Sequence, residues 1–112
     1  MTSPRLIAVL GEMRELGDQA VDGHRKVGRE AAEQGIDVVV AVGGALAKQL
    51  ALAAGDAGVP KVAICPDNPT ATAFVMSILR PGDRVLVKGA NSDMRWQIAQ
   101  GLAGQEITGH QH

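Results

Sequence analysis

A three-layer α/β domain, a parallel sheet with helices on both faces, is the fold this sequence predicts. Three observations carry that expectation. Four short apolar runs rich in β-branched residues are continuous rather than alternating, as strands covered on both faces are. Segments with helical spacing of apolar residues lie between them. The two kinds of segment alternate along the chain, the order that crossover-connected parallel strands require.

The first strand covers Leu6 to Leu10 and ends at Gly11. The stretch AVLGEMRELGD (8–18) then turns charged, with Glu12, Arg14 and Glu15 behind the glycine. Residues 18–34 put Ala20, Val21, His24, Val27, Ala31 and Ala32 on one side at three-to-four spacing. Arg25, Arg29, Glu30 and Glu33 face away, and Gly35 closes the helix. Val38 to Val42 is the second strand, followed by a small alanine- and leucine-rich helix over 45–54. The third strand is Val62 to Cys65. A helix over 69–80 follows, with Asn68 as N-cap and Pro69 in the first turn. Its inward face carries Ala73, Phe74, Ile78 and either Met76 or Val75. RPGD (80–83) stops it, and Val85 to Val87 is the fourth strand. A last helix is expected over 93–102, ahead of a frayed tail, 104–112.

At 112 residues the chain is expected to be one domain, 1–112, with its core within 5–103. Phe74 and Trp96 are the only aromatic residues, so a core drawn from 46% hydrophobic residues must be aliphatic. Eleven basic against twelve acidic residues give a net charge of −1, which speaks against a nucleic-acid or membrane-surface partner. No apolar run approaches the roughly 20 residues that span a bilayer. The start, MTSPR, lacks a signal-peptide pattern. Cys65 is the only cysteine, which leaves no internal disulfide and fits a reducing cytoplasm; as a small apolar residue at a strand end it needs no further role.

A Rossmann-like, doubly wound arrangement of these elements has the strand order 3-2-1-4. The first and fourth strands are then neighbours at the switch point, where open α/β sheets bind ligands outside the carboxyl ends of the strands. The loops LGEMRELGD and VKGANSD meet there. Lys88 follows the buried run RVLV, so its ammonium emerges at that edge, either facing a phosphate or carboxylate as a point charge or standing solvated. Glu12 and Glu15 are placed to pair with Lys88, to meet a ligand amine, or to stay in water. VGGALAK (42–48) offers free N–H groups to an anion, although two glycines at a βα turn also arise for steric reasons. His24, on the apolar side of its helix, reads as a core or boundary histidine with one satisfied nitrogen. The three histidines and one cysteine form no metal-ligand pattern, and neither a dinucleotide fingerprint nor a P-loop is present. No nucleophile stands with a base. Alone, the chain reads as an α/β ligand-binding module without its own reaction centre.

The stretch IAVLGEMRELGDQAVDGHRKVGREAAEQGIDVVVAVG (7–43) resembles the C-terminal domain of the Mur ligase family, in the branch that adds D-alanyl-D-alanine to UDP-N-acetylmuramoyl-tripeptide. The family's "VLG(D/E)M.ELG", "H..VG..A" and strand-ending "VG" fall on Leu10 to Gly17, on His24, Val27 and Gly28, and on Val42 and Gly43. LRPGDRVLVKGAN (79–91) is similar to the family's "L..GD.VLVKGSR", with Ala90 and Asn91 where the family has serine and arginine. The resemblance spans residues 5–103. It implies an ATP- and Mg²⁺-dependent ligase of bacterial peptidoglycan precursor synthesis, which activates a carboxylate as an acyl phosphate for attack by an amine. Its partners in the parent enzyme are a central ATPase domain and an N-terminal UDP-substrate domain. The implied substrate-binding residues are Gly11, Glu12 and Met13 on one loop and Lys88, Gly89, Ala90 and Asn91 on the other, with Lys88 as the anion contact.

Because the family's P-loop and Mg²⁺ ligands belong to the central domain, this chain by itself is expected to be inactive and to bind no cofactor tightly. The family domain begins one strand earlier than this chain, at an Asn-Pro-containing loop. The strand ending at Lys88 is therefore expected to present an open edge, a route to self-association. The alternative reading, from another class, is a stand-alone α/β small-ligand-binding or interaction module without ligase activity.

Overall fold

The computed structural model describes residues 5–13 and 17–88. The expectations for Arg14 and Glu15, for Gly89, Ala90 and Asn91, for the helix over 93–102 and for the tail 104–112 lie outside the described residues. Within them the order is β1 (Leu6–Gly11), α1 (Ala20–Glu33), β2 (Val38–Val42), α2 (Ala45–Asp56), β3 (Lys61–Cys65), α3 (Asn68–Ile78) and β4 (Arg84–Lys88). A short 3-10 turn, Gly17–Gln19, leads into α1.

Every strand pairing is parallel, and the sheet order is β3-β2-β1-β4, the doubly wound order that the sequence implies. The crossovers through α1 and α2 step in one direction across the sheet, and the crossover through α3 steps back over β2 and β1. Right-handed connections therefore put α1 and α2 on one face and α3 on the other. Alternate strand residues feed the two cores. Ile7, Val9, Val40, Val42 and Val85 pack with Ala71 and Val75 of α3. Ala8, Leu10, Val39 and Ala41 pack with Ala31 of α1 and with Leu50, Ala51 and Ala54 of α2.

Small residues let α1 and α2 approach closely. A Cβ on Gly28 would overlap the Leu50 carbonyl oxygen and stand 2.8 Å from the Ala54 nitrogen, so the helices meet backbone to backbone there. Gly35 ends α1 in the left-handed region at φ +77°. Its N–H bonds to Ala32 O at 3.1 Å, and Ile36 N–H bonds to Ala31 O at 3.1 Å, which satisfies carbonyls that the helix end leaves open and buries Ile36. The same arrangement ends α2, where Val59 N–H reaches Ala54 O at 3.0 Å.

At the amino edge of the sheet, Asp37 ties three strands. Its carboxylate accepts from Leu6 N–H at 2.8 Å, its own N–H donates to Leu6 O at 2.9 Å, and its carbonyl accepts from Lys61 N–H at 3.2 Å. Asp83, buried at the head of β4, accepts from Arg5 Nε at 3.1 Å, Arg5 Nη2 at 2.6 Å and the Arg80 N–H at 2.9 Å. The Arg5 hydrogen bonds, with help from the Arg80 amide and both positive charges, hold the Asp83 carboxyl below the usual carboxylate range against the opposing effect of burial. The same pair raises Arg5 above its ordinary value.

Several local expectations differ from the structure. Val21 is 43% exposed, because it lies in the first turn of α1, before the buried stripe of His24, Gly28 and Ala31 begins. Asp67, not Asn68, caps α3: it is extended and its carboxylate accepts from Thr70 N–H at 2.9 Å. Starting the helix at Asn68 turns Ala71 and Val75 inward, with Phe74 and Ile78 packed beside them, and leaves Ala73 exposed and Met76 49% exposed. β1 and β2 are covered on both faces, but β3 is an edge strand whose Ile64 is 48% exposed. In β4 it is Val85 and Val87 that are buried.

Candidate functional site

The carboxyl edge of the sheet brings together the end of β1 and the end of β4. Leu10 stands opposite Lys88, and on the other side Gly11 stands opposite Val42. Glu12 and Met13 continue from β1 over this edge, and Lys88 is exposed at the end of β4. Of the implied binding residues, Gly11, Glu12, Met13 and Lys88 are therefore gathered at one switch point.

Glu12 is held by α2. That helix begins at Gly44, which has no side chain to cap it, so its first N–H groups need a partner from elsewhere. Glu12 Oε2 accepts from the N–H groups of Gly44 at 3.0 Å, Leu46 at 3.1 Å and Ala47 at 3.1 Å. A carboxylate at the positive end of a helix dipole is favourable, and hydrogen bonds to a charged acceptor are the stronger kind. Gly43 makes room for it: at φ +143° a Cβ would lie 2.7 Å from Glu12 Cγ. The N–H groups that VGGALAK offers to an anion are thus occupied by a carboxylate of the same chain. The pairing of Glu12 with Lys88 does not form, and among the described residues the one ion pair is Arg5–Asp83.

Met13 is held by α1. His24 is fully buried, and its Nε2 lies 2.9 Å from the Met13 amide nitrogen while Nδ1 lies 2.6 Å from Ala20 O. An amide can only donate, so Nε2 is the acceptor and Nδ1 carries the proton toward the carbonyl. Both ring nitrogens are satisfied, where the sequence suggested one. Neither role had a local signature: Glu12 reaches a helix 32 residues on, and His24 returns 11 residues to the loop. The one available signal for Glu12 was the absence of any Ser, Thr, Asp or Asn at the start of α2.

Cys65 ends β3 opposite Val42, and its carbonyl accepts from Gly43 N–H at 2.9 Å. Burial first, and the Asp67 charge second, push its thiol up, which keeps it neutral and weakly reactive. Among the described residues no three His, Cys, Asp or Glu side chains are grouped to hold a metal ion, and no helix is long and apolar enough to cross a membrane.

Parallel strands in 3-2-1-4 order, with Gly11 to Met13 and Lys88 at the carboxyl ends of two neighbouring strands, define a doubly wound α/β domain. The family model described as Mur ligase, glutamate ligase domain matches residues 1–91, and the chain belongs to that family, as a C-terminal domain of the MurF type. It is 34% identical to the UDP-N-acetylmuramoyl-tripeptide–D-alanyl-D-alanine ligase of Mycobacterium tuberculosis, over 91% of this chain and 23% of that protein. To the ligase of the same name from Synechocystis it is 38% identical, over 79% of this chain and 19% of the relative. Its fold is similar to that of MurF from Acinetobacter baumannii, with a TM-score of 0.72 at 25% identity, covering 93% of this chain and 23% of that one. The chain thus spans less than a quarter of the length of these relatives.

Proposed function

We propose that this chain is the substrate- and nucleotide-contacting C-terminal domain of an ATP-dependent, amide-forming ligase of bacterial peptidoglycan synthesis, working in the cytoplasm. In the whole ligase D-alanyl-D-alanine is joined to UDP-N-acetylmuramoyl-tripeptide, the reaction that its relatives' names state. The observation that carries this reading is the adjacency of the β1 and β4 carboxyl ends, with Glu12 and Met13 anchored on one side and an exposed Lys88 on the other. Lys88 supplies positive charge to an anionic group of the substrate, and Gly11, Glu12 and Met13 form the facing wall. Gly89, Ala90 and Asn91, next to Lys88 in the sequence, are proposed as further substrate contacts.

ATP with Mg²⁺ would supply carboxylate activation in the whole enzyme. The N–H groups opening α2 already hold Glu12, so the proposed nucleotide contact is not made by those amides. No step through ATP is therefore assigned to this chain. Central ATPase and N-terminal UDP-substrate domains are its proposed partners, and the β4 edge is a proposed route to self-association.

The test is a chimera in which this chain replaces the matching segment of the M. tuberculosis ligase. Ligation of D-alanyl-D-alanine is expected, and Lys88→Ala is expected to lower it far more than it lowers the unfolding midpoint. A folded chimera without ligation would return the chain to the stand-alone binding module, and unchanged kinetics in Lys88→Ala would leave that lysine merely solvated.

A further inference from the structure

We infer that His24 and Glu12 are positioning residues, a two-point clamp that fixes the Glu12–Met13 segment at the β1/β4 edge. The inference rests on the function proposed above. A buried histidine or a helix-capping glutamate taken singly has an ordinary structural explanation. Here the two holds converge on consecutive residues directly after β1, and they come from different helices. α1 takes the Met13 amide through His24 Nε2, and α2 takes the Glu12 carboxylate through three amides.

The two jaws are fixed relative to each other, because α1 and α2 touch backbone to backbone at Gly28, one turn beyond His24. His24 is itself locked by Ala20 O, so its ring cannot rotate away without leaving a buried nitrogen unpaired. Gly43 completes the seat by giving Glu12 the space that a side chain would fill. Neither side chain needs to touch the ligand. Their effect is on where the β1 wall stands relative to Lys88, and displacement of about 1 Å at a reacting site can cost about 100-fold in rate.

The experiment has two arms. In the 112-residue chain, hydrogen exchange is measured at the Met13 amide and at the Gly44, Leu46 and Ala47 amides. His24→Leu is expected to expose the first and Glu12→Ala the others, with β2 amides still protected. His24→Gln, whose oxygen can reach the Nε2 position, is expected to restore protection at Met13.

In the chimera, His24→Leu and Glu12→Ala are expected to raise KM for D-alanyl-D-alanine and lower kcat/KM by about 10- to 100-fold. His24→Gln should recover most of that loss even where its stability is no better than that of His24→Leu. Kinetics that follow the unfolding midpoint across the series, or that do not change, overturn the clamp. If the unsubstituted chimera fails to ligate, the proposed function falls, and unaltered Met13 exchange in His24→Leu is then what overturns the clamp.

Discussion

Replacing Gly28 by alanine is expected to destabilise the domain, against the direction that helix propensity alone gives. In a helix interior alanine is favoured over glycine by about 1 kcal/mol. At this position the new Cβ meets backbone rather than a flexible side-chain end: the Leu50 carbonyl oxygen, the Ala54 nitrogen at 2.8 Å and Ala53 Cβ at 3.1 Å. Ordinary contact needs about 3.5 Å or more, so α1 and α2 must part by something on the order of 1 Å. That separation loosens Ala31, Leu50, Ala51 and Ala54 together, because they share one core. Overpacking of this kind costs about 1–3 kcal/mol. Set against the propensity gain, a net loss of up to about 2 kcal/mol is expected, and each 1 kcal/mol lowers Tm by about 4–8 °C in a domain of this size. Urea unfolding followed by far-UV circular dichroism reads it as a lower midpoint at unchanged slope. Gly55→Ala in α2 is the control. Its Cβ would lie 3.8 Å from Val62 Cγ2, an ordinary contact, so it should gain about 0.5–1 kcal/mol. A Gly28→Ala midpoint above that of the parent, raised as Gly55→Ala is expected to raise it, would refute the backbone-to-backbone contact.

The Arg5–Asp83 pair makes stability depend on acid. The Asp83 folded pKa lies below the ordinary aspartate value of about 3.9, so its contribution is complete above that value and is lost as pH falls through the folded one. Asp83→Asn should flatten the acid limb of Tm against pH, and parallel limbs would refute the assignment. Cys65, buried and held neutral, should react with a disulfide reagent only at the rate of unfolding; fast labelling of the native chain would contradict its burial. The purified chain should turn over no ATP, and hydrolysis that survives repurification would count against that.

Fold topology was legible because burial on both faces writes itself as continuous valine-rich runs, and Val38 to Val42 is the clearest of them. The same rule misled at β3, since an edge strand can carry an apolar run such as Val62 to Cys65 without being covered. Cap residues were off by one at α3, where Pro69 fixes only the first turn and Asp67 and Asn68 both suit the cap; the geometry selects the carboxylate. The β1/β4 edge could be placed from strand order alone. What Glu12 and His24 do there could not, because both partners lie far along the chain. Within the motifs, Gly28 and Asp83 turn out to serve packing and strand anchoring, so a family signature mixes residues that build the edge with residues that face across it.

The seat of Glu12 has a consequence for selectivity. A carboxylate tied to the chain competes for the α2 amides at an effective concentration that short tethers set in the millimolar range. A free phosphate arriving there must displace a resident anion that never diffuses away, and must leave that glutamate without its three amide partners. The corner where many α/β domains capture a nucleotide is therefore kept by prior occupancy. The proposed anion contact lies instead at the neighbouring strand end, where Lys88 is exposed.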